Sequence, residues 1–278
     1  MELRIAIIVV TSVISLVLLG VLAFLSLMRP GKSAVMEKYK SVKFAHRGLH
    51  GEGAAENSMT AFTRARDLGY GIEFDIRLAK DGQLVVFHDA TLNRVCGVDG
   101  RVVDRTVNEL SEISLLGTKD TVPTLREVLD LIDGAVPLLI EIKEEAGETS
   151  VAERFLEEIK GYTGEFIVES FNPFSLRAVK KARADIVIGI LSAEYMKDDR
   201  FKGKFLYRML QNLQFNFLMR PHFISYDKNG FANWGLRYVR RNYKTPLIAW
   251  TVTSLEEERE ALLHGFDTVI FEGYLSEK

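Results

Sequence analysis

His46 and Arg47, Glu73 and Asp75, His88, Glu141 and Lys143, and Trp250 all stand at or near the ends of short apolar runs. Glu73 and Asp75 are two residues apart in "GIEFDIRL", as are Glu141 and Lys143 in "LLIEIK". In an extended strand, side chains two apart project from the same face. Three carboxylates with no thiolate beside them make a hard oxygen site, suited to Mg²⁺ or Ca²⁺ more than to zinc. Arg47 and Lys143 can hold an anion, and the forked guanidinium matches phosphate geometry. His46 and His88 are the groups of this set that can move protons near neutral pH. A metal, a cationic clamp and two imidazoles meet the needs of phosphodiester cleavage. One group activates the nucleophile, another protonates the leaving alkoxide, and positive charge stabilises the crowded state at phosphorus.

Taken singly, each of these residues has a plain structural reading. A histidine at a strand end is commonly structural, Glu141 and Lys143 can be a simple ion pair, and Trp250 can be either pocket wall or core. His50 reads as a loop residue, and His222 and His264 as strand-flanking residues without partners. The case rests on the combination.

The elements that must position these groups are also legible. Residues 71–88 hold two apolar runs joined by Asp81-Gly82, a type I′ hairpin signal. Pairing about that turn sets Ile76 opposite Phe87 and Asp75 opposite His88, which puts Glu73, Asp75 and His88 on one surface. From Val42 onward, β-rich runs alternate with helical patterns, as in α/β folds with parallel strands. The runs begin at Val42, Gly71, Pro137, Phe166, Ile186, Phe223, Pro246 and Asp267. Helices are expected over Met59–Leu68, Thr124–Ile132, Val151–Ile159, Phe174–Ala184 and Leu255–Leu263, with a longer aromatic one near Lys204–Phe217. Eight parallel strands on this length of chain point to a (β/α)8 TIM barrel, which typically takes about 250 residues. A doubly wound open sheet is the alternative, but no strand is followed by a dinucleotide-type glycine fingerprint.

Ahead of the barrel, Ile5 to Met28 is an apolar run without a charged residue. As a helix it is long enough to cross a hydrocarbon core of about 30 Å. A cleaved signal peptide is the rival reading, but its apolar region is normally about 7–15 residues and ends in a small-residue site. The sequence therefore divides into a transmembrane helix with a basic neck, residues 1–41, and a barrel, residues 42–278. Arg4 precedes the span and five basic residues follow it within Arg29–Lys43, which places the barrel in the cytoplasm. The net charge of the chain is −2, yet residues 1–43 carry +4, so the remainder carries −6. An acidic domain of this kind is a poor nucleic-acid partner. The single cysteine, Cys96, excludes an intrachain disulfide. The stretch "FKGKFLYRMLQNLQFNFLMRP", residues 201–221, reads either as a barrel helix with a basic outer face or as a segment resting on lipid.

"AHRG" followed by "ENS", then "EFDIRLAKDGQLVVFHD", "PTLREVLDL", "IEIK", "ESF" and "WTV", resembles the glycerophosphodiester phosphodiesterase family in order and spacing, from about Val42 to Phe271. The resemblance implies a TIM barrel with a small insertion after the second-strand hairpin, here about Ala90–Val122. It also implies metal-dependent hydrolysis of a glycerophosphodiester to glycerol 3-phosphate and an alcohol. By that resemblance His46 and His88 are the acid–base pair, and Glu73, Asp75 and Glu141 hold the metal, Mg²⁺ or Ca²⁺. Arg47 and Lys143 contact phosphate, while Glu56 and Asn57 are substrate-side loop residues that support the site. Departures from the family pattern are Ala55-Glu56-Asn57-Ser58 for Pro-Glu-Asn-Thr, Thr253 for Asn, and Phe271-Glu272-Gly273-Tyr274 for Thr-Asp-x-Pro. Six residues follow Glu272, too few for a full final helix, which leaves open how the barrel closes. Other functions consistent with the residues are a lysophospholipase D acting on lipids in the bilayer and a membrane-tethered pseudoenzyme that binds phosphorylated ligands. A metal-dependent sugar isomerase is a further possibility, but it leaves Arg47 unexplained.

Overall fold

A computed structural model describes residues 1–144 and 148–277. Its first element, α1 (Glu2–Ser26), has no buried residue and touches the barrel through Phe24 and Leu25 near its C-terminal end. At 1.5 Å per residue it spans about 37 Å, so its length and composition suffice to cross a membrane.

The barrel strands are β1 (Phe44–His46), β2 (Gly71–Leu78), β4 (Leu138–Ile142), β5 (Phe166–Ser170), β6 (Ile188–Ser192), β7 (Phe223–Asp227), β8 (Leu247–Val252) and β9 (Thr268–Phe271). A short strand β3 (Leu84–Val86) pairs antiparallel with β2 at the edge. Parallel pairing runs from β2 through β4 to β9, and β1 pairs in parallel with both β2 and β9. The sheet is therefore closed, which excludes the open doubly wound alternative. These strands are buried on both faces and read as near-continuous apolar runs.

Helices α2 (Met59–Asp67), α5 (Leu125–Ile132), α6 (Ser150–Glu158), α7 (Pro173–Ala182), α10 (Trp234–Tyr243) and α11 (Leu255–Leu263) pack around the outside. All of these but α6 begin at an N-cap residue whose side chain accepts from a backbone N–H of the first turn. Ser58 accepts from Ala61 N–H, Asn233 from Leu236 N–H, and Thr124 forms a reciprocal box with Glu127. The insertion carries α3 (Asn93–Cys96) and α4 (Val107–Leu110), which bury Leu92, Val95 and Leu110 against Val85 and Phe87. Between β6 and β7 lie α8 (Phe205–Gln211) and α9 (Asn216–Met219). The sequence pattern suggested one helix across Lys204–Phe217; the chain instead turns at Leu213, which has φ 61°. It also forms α10, which the pattern did not single out.

The hairpin differs in register from its expected form. Gly82 adopts φ 75° and its N–H bonds to Ala79 O, so the loop is one residue longer than a two-residue turn. Ile76 pairs with Val86 rather than Phe87. Strand alternation alone would then turn His88 away from Asp75. His88 reaches the site because β3 ends at Val86 and the chain bends inward over Phe87–Asp89.

The basic neck is part of the barrel. A 3-10 turn over Val35–Ser41 inserts Met36 and Tyr39 among Phe44, Leu139, Ile167 and Phe223, forming the barrel floor. Met28 is fully buried, Asn216 Nδ2 donates to Met28 O at 3.0 Å, and Phe217 N–H donates to Leu27 O at 2.8 Å. Gly31 permits this docking, because a Cβ there would lie 2.5 Å from Arg220 O. His222 has partners after all: Ile188 N–H donates to its Nδ1 at 3.1 Å, and Lys180 Nζ lies 3.3 Å from Nε2. After β9, Tyr274 and Ser276 fold back over the end of the barrel. Tyr70 Oη donates to Ser276 O at 2.6 Å, and Glu258 accepts from Tyr274 and Ser276 hydroxyls.

Candidate active site

The C-terminal ends of the parallel strands gather the polar residues, as this architecture requires. β2 supplies Glu73 and Asp75 and β4 supplies Glu141; one oxygen from each lies within 4.8 Å of the others. All three carboxylates are buried. Burial first, then Asp75, Glu141 and Glu169, push Glu73 well above the usual carboxylate range. Burial likewise raises Glu141 to about 7. Burial alone would raise Asp75 too, but Lys143, His88 and Arg47 hold it well below the usual range. The cluster fits a divalent cation. Its donors are all carboxylate oxygens, and their mutual repulsion is what a double positive charge would relieve.

Lys143 Nζ lies 2.7 Å from Glu141 and 3.1 Å from Asp75. Arg47 sits on the turn after β1 in a left-handed conformation, φ 55°, that a side-chain-bearing residue rarely takes. That turn aims Arg47 N–H at Glu73 Oε2, 3.0 Å away. The guanidinium is held by Glu56 at 2.6 Å and faces Asp75 at 3.5 Å. Asn57, also left-handed, donates Nδ2 to Asp75 Oδ2 at 2.9 Å. Glu56 and Asn57 thus lie behind Arg47 and Asp75. Through these contacts they brace the guanidinium and the acid cluster.

The two imidazoles are held alike. His46 Nδ1 lies 2.5 Å from Glu272 Oε2, and His88 Nδ1 lies 2.6 Å from Asp89 Oδ1. A carboxylate at Nδ1 places the proton there and leaves Nε2 as the reactive nitrogen. His46 Nε2 is 3.9 Å from Glu73. Burial is the largest influence on both imidazoles and lowers them below the ordinary histidine range, offset in part by Glu272 at His46 and by Asp75 at His88. The pocket between them holds about 80 Å³, with Glu73, Glu141 and Lys143 on its floor. Phe171 and Trp250 line its wall, packed edge to face at 5.5 Å.

Four participants were not singled out from sequence. Glu272, noted only as a departure from a family pattern, orients His46 and lies 3.5 Å from His50. Asp89 orients His88. Arg94, from the insertion, bonds both Asp89 (2.7 Å) and Glu56 (2.7 and 2.8 Å), tying the braces of the two halves together. Glu169 on β5, pushed by burial to about 8, accepts from the Ser225 hydroxyl. The register explains Glu272: β1 pairs Ala45 with Phe271, so the next residues, His46 and Glu272, fall side by side.

Known proteins resemble this chain in sequence and in fold. The sequence pattern of the Glycerophosphoryl diester phosphodiesterase family matches residues 46–272. A glycerophosphodiester phosphodiesterase of Caldanaerobacter subterraneus is 39% identical over 164 residues, 55% of this chain and 67% of that protein. A lysophospholipase D of Rattus norvegicus is 34% identical over 120 residues, 38% of each chain. An Oleispira antarctica phosphodiesterase, solved with the product sn-glycerol-3-phosphate, shares the fold with a TM-score of 0.69 at 22% identity, over 84% of this chain and 94% of that one.

Proposed function

The chain belongs to the glycerophosphoryl diester phosphodiesterase family, and from that membership we propose that it hydrolyses glycerophosphodiesters to glycerol 3-phosphate and an alcohol, with a divalent cation and the His46–His88 pair. The observation that carries this reading is the pair of imidazoles lining one pocket, each held at Nδ1 by its own carboxylate, beside a triad of buried acids. Arg47 and Lys143 bind the phosphate and set its orientation toward the two Nε2 atoms. One histidine, neutral, takes a proton at Nε2 from the attacking water as its oxygen bonds to phosphorus; the other enters the turnover protonated and gives its Nε2 proton to the alcohol oxygen as the bond from that oxygen to phosphorus breaks. Glu56 holds Arg47 in place, and Glu272 and Asp89 stabilise whichever imidazole becomes charged. Glu73, Asp75 and Glu141 would hold Mg²⁺ or Ca²⁺, which supplies Lewis-acid charge against the phosphoryl oxygens. Phe171 and Trp250 exclude water from one side of the pocket.

The test is hydrolysis of glycerophosphocholine by the full chain in detergent, with and without chelator. We expect chelation to abolish activity and Mg²⁺ or Ca²⁺ to restore it. Full activity after verified metal removal would overturn the metal assignment, and no activity with any divalent cation would overturn the reaction. The protein's place in the cell is part of the same proposal: α1 anchors it in a membrane, with the barrel on the cytoplasmic side.

A further inference from the structure

The segment 193–222 between β6 and β7 carries an apolar surface that the chemistry does not use. Phe205 is 75% exposed, and Leu206, Phe217 and Trp234 are exposed beside it, with Lys202, Lys204 and Arg208 interspersed. This surface is continuous with α1. Phe24 stacks on Trp234 at 6.2 Å, and Leu27 and Met28 accept hydrogen bonds from Phe217 and Asn216.

Those contacts also fix the direction of α1. Leu27 and Met28 meet α9, just before β7 begins; Phe24, one turn earlier, meets Trp234, just after β7 ends. Followed toward its N-terminus, α1 runs from strand beginnings to strand ends, which is the catalytic side. A bilayer holding α1 therefore lies over the α8–α9 surface and the catalytic mouth. Beneath that surface is a cleft of about 300 Å³ lined by Phe174, Tyr195, Leu206, Tyr207, Leu210 and Phe215. It meets the catalytic pocket at Phe171, which lines both.

We infer that the α8–α9 surface rests in the lipid and that its cleft takes the hydrocarbon chain of a single-chain glycerophospholipid, whose phosphodiester then reaches His46 and His88. The lining is mainly apolar, with Glu144 and Asn172 among it, its surface is continuous with the anchor, and the lysines and arginine beside it suit an anionic lipid surface. Its volume, at the small end for ligand sites, suits one chain and not two. The inference rests on the phosphodiesterase reading and names the substrate class of that site.

The experiment compares two substrates on the full chain reconstituted in vesicles of phosphatidylcholine with a fifth phosphatidylglycerol. One is glycerophosphocholine, which has no chain; the other is palmitoyl lysophosphatidylcholine. Leu206→Asp puts a charge at the cleft mouth, and Leu210→Trp fills the cleft. α1 keeps every variant in the bilayer, so the comparison reports the cleft and not recruitment. For each variant we expect kcat/KM on the lipid to fall about tenfold or more, and on glycerophosphocholine to stay within about twofold. Equal effects on both substrates, or no loss on the lipid in either variant, would overturn the inference. If the unmodified chain hydrolyses neither substrate, the phosphodiesterase reading itself fails and the inference falls with it.

Discussion

Because each imidazole commits Nδ1 to a carboxylate, its Nε2 is left with one task, and losing either ring removes one proton transfer from the same turnover. His46→Ala and His88→Ala should each lower kcat by roughly 10²–10⁴-fold. A substrate with a very good leaving group should partly rescue the variant that lacks the acid and leave the other unrescued; near-normal rates in both would remove the pair from the mechanism. Glu272 acts through His46, so it is a positioning residue. Glu272→Gln should lower kcat by roughly 10–100-fold, as partners that orient functional histidines do, with KM nearly unchanged and Glu272→Asp recovering part of the loss. A KM effect without a kcat effect would mean that Glu272 touches substrate instead. At this scale the carboxylates were legible because two-residue spacing survives from sequence to strand. Glu272 was not, because its partner is 226 residues away and becomes adjacent only when the barrel closes.

Elements were legible where local signals agree and illegible where packing decides. Strand positions followed from apolar runs within two residues, since both faces of a barrel strand are buried. The hairpin was recognised, yet its register shifted by one residue, because Asp81-Gly82 suits a loop with a single left-handed glycine as well as the two-residue turn. Nothing between Lys204 and Phe217 marks a break: there is no glycine or proline, yet Leu213 turns left-handed. Tertiary contact overrides propensity there, as Leu213 is buried in the core and Asn212 lies so close to α10 that a Cβ on Gly235 would come 2.6 Å from its carbonyl. The same seam contains His222, whose burial first, then Lys180, lower it to about 4. A histidine depressed in the folded state stabilises fully above about pH 6.5, and that stability is lost as pH falls toward about 4. Discounted for partial solvent access, the loss should be about 1–2 kcal/mol, or a few degrees of Tm. His222→Gln, which can still accept from Ile188 N–H, should flatten that part of the Tm–pH curve; parallel curves would show that His222 carries no linkage.

For the molecule as a whole, the chain just after α1, the basic neck and the barrel pack as one structure. Met28, Met36 and Tyr39 are buried in or against the barrel, so a boundary drawn at residue 42 cuts through its floor. Sequence alone hid this because Lys38, Lys40 and Lys43 dominate the segment, and the apolar residues between them are spaced for a 3-10 turn too short to stand out. Those lysines also bear on topology. In the folded chain Lys38 pairs with Glu165, Lys40 with Glu37 and Lys43 with Glu258. Membrane insertion precedes folding, however, so at that stage all five basic residues of Arg29–Lys43 weigh against Arg4 and the terminal amine. The barrel should then remain cytoplasmic and residues 5–28 should remain in the mature chain. Protease added to intact cells is expected to leave the barrel uncut until the cells are lysed, and N-terminal sequencing to begin at or near Met1. Changing Arg29, Lys32, Lys38, Lys40 and Lys43 to Gln should expose a measurable fraction of chains to external protease, because the amine and Arg4 then hold the only excess charge. Digestion of the unmodified chain from outside would place the catalytic face, and with it the lipid it meets, on the opposite leaflet.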